Sequence, residues 1–279
     1  MEATVDHRMN KVKGAMYEVA AIMADHRMQA MGGMQVAWEI WEKSFIPSLL
    51  ANCGSWVGMT TTALKTLNSL HCLYCKLIYS CPDSTPIPSL RGEAGFLDFE
   101  HRIMIEKVCL VTRIMHMMNE ESYAKEILEE QMAMKWDGLS KEVTEICEKV
   151  GLRNACTVFV DRKTVTEAVM YSHLKVLKEE YSMEKLKHLK DQDLRYMQPY
   201  MKRASLEDAR LEFRYRVNML DNRASMGKRY KFKYCPHCPA GRDEGVIESS
   251  QHWMECAAYT ELRRGLDPEG SLPDRLKFI

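Results

Sequence analysis

The chain has 279 residues, 46% of them hydrophobic, and its 39 Lys+Arg are balanced by 39 Asp+Glu. That length supports one large or two modest domains with real cores, and the charge balance excludes a uniformly basic protein while leaving room for a local basic face. The opening Met1-Glu-Ala-Thr stretch is polar, not a signal peptide, and no apolar run approaches a membrane span, so no membrane partner and a cytoplasmic and/or nuclear setting with reduced thiols are expected.

The pattern before residue 198 is helical almost throughout. Val5, Met9, Val12, Met16, Val19 and Met23 recur at three- and four-residue spacing and predict a helix over 2–29, ended by Gly32-Gly33. A second helix is expected from Met34 through Trp38, Trp41 and Phe45 to Pro47, and a third over 60–80, with Leu64, Leu67, Leu70, Leu73 and Leu77. Pro82, Pro86 and Pro88 predict an extended linker, because proline lacks a donor and restricts the residue before it. Further helices are expected at about 99–118, 121–135, 140–150 and 164–190. The fold class read from this order is all-α, a bundle of about seven or eight helices followed by a small metal-stapled module, with segments at 1–80, 81–197 and 198–279.

The charge balance shifts after Gln198-Pro199. Between 198 and 233 ten Lys/Arg face four acids, a net of +6, with Phe213, Tyr215, Tyr230, Phe232 and Tyr234 interleaved. Cations neutralise phosphates and aromatic faces stack on unpaired bases, so Arg214, Arg216, Arg223, Lys228, Arg229, Tyr230, Lys231, Phe232 and Lys233 are candidate RNA- or DNA-binding residues. For 205–220 a solvated helix face with its aromatics in the core explains the same pattern.

The most specific local signal follows at once. Cys235-Pro-His-Cys238 is a tight turn with two thiols, and His252 and Cys256 lie four apart, on one face if helical. Together Cys235, Cys238, His252 and Cys256 can close a tetrahedral Zn2+ site with no open position, which is structural and supplies no nucleophile. Ser249 or Ser250 can cap the helix that carries the last two ligands. A second group, His71, Cys72, Cys75 and Cys81, reads as core packing and not as a second zinc site. No catalytic residue is assigned. There is no phosphate-cradling loop, no paired aspartates for a two-metal site, and Asp98 reads as a helix-start acid.

The tail resembles the cysteine-histidine motif that follows the polymerase core of non-LTR (LINE-type) retrotransposon reverse transcriptases. The residues that carry this resemblance are Cys235-Pro236-His237-Cys238, Glu248, His252, Cys256 and Leu262-Arg263. Upstream, Trp38-Glu-Ile-Trp-Glu with Phe45-Ile-Pro-Ser-Leu-Leu50 and Trp56 resembles the thumb of that family. Cys81-Pro-Asp-Ser-Thr-Pro with Leu90-Arg-Gly-Glu-Ala-Gly95 resembles the linker after it. The resemblance implies thumb-like helices over 1–80, a helical linker domain over 81–197 and a nucleic-acid-gripping tail. It also implies a missing polymerase palm, with its metal-binding aspartates, as the parent protein's intramolecular neighbour. The expectation is therefore a non-catalytic fragment that grips template or element RNA, with a helical protein-interaction module holding a structural zinc as the rival reading.

Overall fold

The computed structural model describes residues 2–24, 33–182, 186, 189, 191–220, 232–238 and 244–263. The described residues are all-α, and their one β feature is an isolated antiparallel bridge between Tyr234 and Ile247. Among the described residues eleven α-helices precede residue 217: α1 (Glu2–Ala24), α2 (Gly33–Ile40), α3 (Ile46–Leu50), α4 (Thr61–Tyr79), α5 (Ile87–Gly92), α6 (Phe99–Met117), α7 (Tyr123–Ala133), α8 (Leu139–Val150), α9 (Arg162–Tyr181), α10 (Pro199–Arg203) and α11 (Leu206–Arg216). The excess over the expected seven or eight comes from α3, α5 and α10, of five or six residues each, too short to display a helical period. Side-chain caps begin four of these helices: Thr60 accepts the Ala63 N–H, Asp98 that of His101, Asp161 those of Lys163 and Thr164, and Ser205 that of Asp208. Residues 25–32 and most of 183–190, the far ends of two expected helices, lie outside the described residues.

Two proline expectations are corrected. Pro47 does not end its helix, because the chain runs from α2 through one π-helical segment, Trp41–Phe45, directly into α3. The Ile46 N–H reaches back to the Trp41 carbonyl, and this wider turn takes up the distortion a proline ring otherwise forces on the preceding turn. The proline-rich linker is not extended throughout either. Pro88 sits in the first turn of α5, where its missing N–H has no helical partner to lose.

The apolar stripe of α1 packs as its spacing predicts: Val5, Val12, Met16 and Met23 are buried, and Met9 and Val19 lie against the same core. That core runs from Val5 to Met219, so the boundaries expected at 80/81 and 197/198 both fall inside it. Its centre is aromatic. Trp41 stacks on Tyr74 at 4.7 Å and on His71 at 4.9 Å, Trp38 meets Phe96 edge-on at 5.0 Å, and Tyr79 stacks on Phe213 at 3.8 Å. The helix α6 serves two cores. Phe99 and Ile103 face this one, while Ile105, Val108 and Val111 join Leu128, Val143, Val165 and Val169 in a second.

The Leu90-Arg-Gly-Glu-Ala-Gly95 stretch joins the first core's early and late helices. A side chain at Gly92 would strike the Tyr181 hydroxyl, and one at Gly95, where φ is +68°, would meet the Tyr196–Met197 backbone at 2.6 Å. Between them Glu93 is fully buried and accepts from Arg216 Nε at 2.8 Å, Tyr200 at 2.9 Å and Gln192 at 2.6 Å. The motif thus works as a packing joint between α5 and the helices at 199–216.

His71 makes the first core acid-sensitive. Burial, then the positive charges of Arg102 and Arg91, lower its pKa to about 3, against the weaker opposing pull of Asp98. The folded protein therefore keeps the ring neutral, while the unfolded chain takes up a proton below about 6.5. Stability from this group is complete above that pH and declines from there down toward pH 3. Urea unfolding at pH 5 should show about 2 kcal/mol less stability from this ring than at pH 7. In His71→Gln that part of the pH dependence should vanish; an unchanged dependence would reject the assignment.

Candidate metal centre

The tail's local structure follows from short-range signals. Cys235 N–H donates to the Val246 carbonyl at 3.0 Å and Glu248 N–H to that of Lys233 at 2.9 Å, so the bridge holds the start of the knuckle against the start of the next helix. That helix, α12 (Ser250–Glu255), is capped by Ser249, whose hydroxyl accepts the His252 N–H at 3.1 Å. Of the two serines expected as caps, Ser249 takes the role. A last short helix, α13 (Thr260–Arg263), follows, and Arg263 donates to the Trp253 carbonyl at 2.8 Å and the Cys256 carbonyl at 2.7 Å. The Cys256 carbonyl also accepts the Tyr259 N–H at 3.1 Å, so Arg263 ties the end of α12 to the turn that follows it. Glu248, the acidic residue of the motif, is buried and accepts the Trp253 indole N–H at 3.0 Å.

This frame brings all four expected ligands together. The donor atoms of Cys235, Cys238, His252 and Cys256 lie within 4.8 Å of one another and could hold a metal ion. Cys235 Sγ is 3.9 Å from Cys256 Sγ, and Cys238 Sγ is 3.5 Å from His252 Nε2. The three cysteines are buried, and His252 is half-buried. Without an ion, burial, with the crowding Cys238 and Cys235 sulfurs, pushes the Cys256 thiol up to about 11. A bound cation reverses that logic, since it stabilises the thiolates it ligates. His237 is exposed and packs its ring against Tyr259 at 5.6 Å, outside the donor set.

The basic candidates divide. Arg216 is turned inward, its guanidinium on Glu93 and Gln192, and Phe213 is buried against Tyr79. Arg214 is half-buried, with Nε 3.4 Å from the Arg210 carbonyl. For this helical half the reading of aromatics in the core describes Phe213, whereas Arg216 pairs with the buried Glu93 where a solvated face was the expectation. Nearer the knuckle the picture differs: Phe232 and Tyr234 are 57% and 50% exposed, and Lys233 is exposed beside them. Arg223, Lys228, Arg229, Tyr230 and Lys231 lie outside the described residues.

The His71/Cys72/Cys75/Cys81 group is not among the described clusters able to hold a metal. His71 stacks on Trp41 and Cys75 is fully buried, as core packing requires. One cluster went unread in the sequence, Asp98 with His101 and His173. The Asp98/His101 pair has capping-box spacing and was visible; His173, on another helix, carried no signal that joined it to them. Compared with models of known families, with curated proteins and with solved structures, the chain matches none, so the chemistry of its centre is read from its own donors.

Proposed function

We propose that this chain is the nucleic-acid-binding C-terminal region of a non-LTR retrotransposon reverse transcriptase, with a structural zinc in the Cys235/Cys238/His252/Cys256 centre and no polymerase chemistry of its own. The observation that carries the reading is a three-thiol, one-imidazole cluster entered directly from a basic, aromatic segment whose described end, Phe232-Lys-Tyr234, is exposed. Zinc suits the donors. With Zn–S near 2.3 Å and Zn–N near 2.0–2.1 Å, a tetrahedron has S···S edges of about 3.8 Å and S···N edges of about 3.6 Å. The separations found are 3.9 Å and 3.5 Å. Four protein ligands leave no open position, so the ion shapes the tail and the cations beside it grip the strand. In the parent protein the polymerase palm would be the intramolecular neighbour of these helices.

Salt dependence tests the reading. Setting Arg216 aside, six candidate cations remain, Arg214, Arg223, Lys228, Arg229, Lys231 and Lys233. If about four to six meet phosphates, affinity for single-stranded RNA should fall with salt at a log–log slope of about −3 to −4. Alanine at Lys228, Arg229, Lys231 and Lys233 together should flatten the slope by up to about three units, at about 0.7 per contact. Phe232→Ala should instead weaken binding with the slope almost unchanged, because stacking releases no counterions. A slope near zero for the unmodified chain would favour the second reading, a helical protein-interaction module. One observation supports that rival. On α7 and just after it Tyr123, Ile127, Met134 and Trp136 are 81%, 53%, 60% and 54% exposed, apolar side chains that a partner could cover.

A further inference from the structure

The buried Asp98, His101 and His173 cluster lies apart from the sulfur centre, between the start of α6 and the middle of α9. The three residues are 8%, 4% and 3% exposed, and one donor atom from each lies within 4.8 Å of the others. Asp98 Oδ1 accepts the His101 backbone N–H at 2.9 Å and His101 Nδ1 at 2.7 Å, and Oδ2 accepts Arg91 at 3.2 Å.

These contacts determine where the ring protons sit. Facing at 2.7 Å a carboxylate that Arg91 also pairs with, His101 Nδ1 carries the proton, which leaves a lone pair on Nε2 of the neutral ring. His173 Nε2 lies 3.1 Å from the Phe96 carbonyl, which only accepts, so the His173 proton is there and Nδ1 holds the lone pair. That Nδ1 faces Asp98 Oδ2 at 3.6 Å, too far for a direct hydrogen bond even if it were protonated. Both His101 Nε2 and His173 Nδ1 are buried without a hydrogen-bond partner. Orphaned polar atoms of this kind are costly, and a lone pair aimed at a carboxylate adds repulsion. A cation between His173 Nδ1 and Asp98 Oδ2 gives that nitrogen a partner and removes the repulsion, and 3.6 Å is close to the ~3.3 Å edge expected between N and O ligands of one tetrahedral ion.

The local charge permits it. Arg91 bridges Asp98 and Glu180, at 3.2 Å each, so two carboxylates face one guanidinium and leave one negative charge. Arg102, the next cation, is held by Glu42 at 2.5 Å. The mixed donors exclude magnesium and calcium, which take oxygen ligands, and suit zinc and its first-row neighbours. We propose that Asp98, His101 and His173 form a second metal site, taking a divalent first-row transition ion through one ring nitrogen of each histidine and the Asp98 carboxylate. Three protein ligands leave a fourth position for water. The ion would tie α6 to α9 where the two cores meet.

The sulfur centre can be silenced to read this site alone. The full chain carrying Cys235→Ser/Cys256→Ser, stripped of metal, is titrated with Co2+. One equivalent should bind with ligand-field absorption and no thiolate charge-transfer band, and two imidazoles should show hyperfine-shifted ring N–H signals. His173→Gln should weaken binding by about 100-fold or more, because even outer-shell changes cost about 10–100-fold. Should that variant unfold, Asp98→Asn keeps a capping oxygen and should show the same loss. No sulfur-free Co2+ spectrum from a chain with intact helical circular dichroism would overturn the site, as would binding indifferent to both substitutions.

Discussion

Removing the metal from the Cys235/Cys238/His252/Cys256 centre should unfold the described tail, 232–238 and 244–263, while α1–α11 stay folded. The reason is the size of the tail's own core. Its buried apolar cluster is the three ligating cysteines with Tyr259 packed against them, and Trp253 and Glu248 add one further buried pair. So small a module depends on a staple, and structural zinc sites in small peptides supply apparent binding free energies of about 10–16 kcal/mol at neutral pH. A chelator should abolish amide protection across the tail and shift Trp253 fluorescence toward a solvent-exposed spectrum. Cys256→Ser should do the same at ordinary zinc levels, with metal content falling by about one equivalent. Full protection of the tail after metal removal, or no fall in metal content in Cys235→Ser/Cys256→Ser, would exclude these ligands. Loss of strand binding on chelation would separately connect the ion to the proposed function.

Replacing Glu93 with alanine should be the most damaging single change in the helical body. Its carboxylate is wholly buried, and Arg216, Tyr200 and Gln192 all donate to it. Deleting it leaves a half-buried guanidinium, a hydroxyl and an amide short of an acceptor, and breaking a buried charge pair from one side costs about 3–5 kcal/mol. Urea unfolding followed by circular dichroism should show a loss of that size. Adding Arg216→Met should recover a good part of it, because the stranded charge goes with its partner. If Glu93→Ala costs under about 1 kcal/mol, or if the second substitution makes matters worse by its full single-site amount, the joint between α5 and α11 is not electrostatic. Arg216→Ala is also informative for the tail: a large stability loss with an unchanged salt slope would agree with a guanidinium turned inward.

The sequence by itself determined what depends on a few neighbouring residues. The stripe from Val5 to Met23 could bury one face only as a helix, and Asp98 and Ser249 could start helices because each needs just the N–H three residues on. The sulfur centre was legible for the same reason. A knuckle and an i,i+4 pair each place two donors by local backbone geometry, and one short chain closure then unites them. What crosses helices was decided by packing. Apolar periodicity says that a face is buried but not against which partner, so the core running from Val5 to Met219, the pairing of Arg216 with Glu93 and the stacking of Phe213 on Tyr79 had no sequence signal. Pro47 misled because the cost of a proline depends on whether the turn before it can widen, and the π segment at Trp41–Phe45 appears only in the packed helix. His173 is the sharpest case. Alone on α9 it is one more buried side chain, and only the packing of α9 on α6 sets its ring beside Asp98 and His101, where two unpartnered nitrogens give the cluster its chemistry.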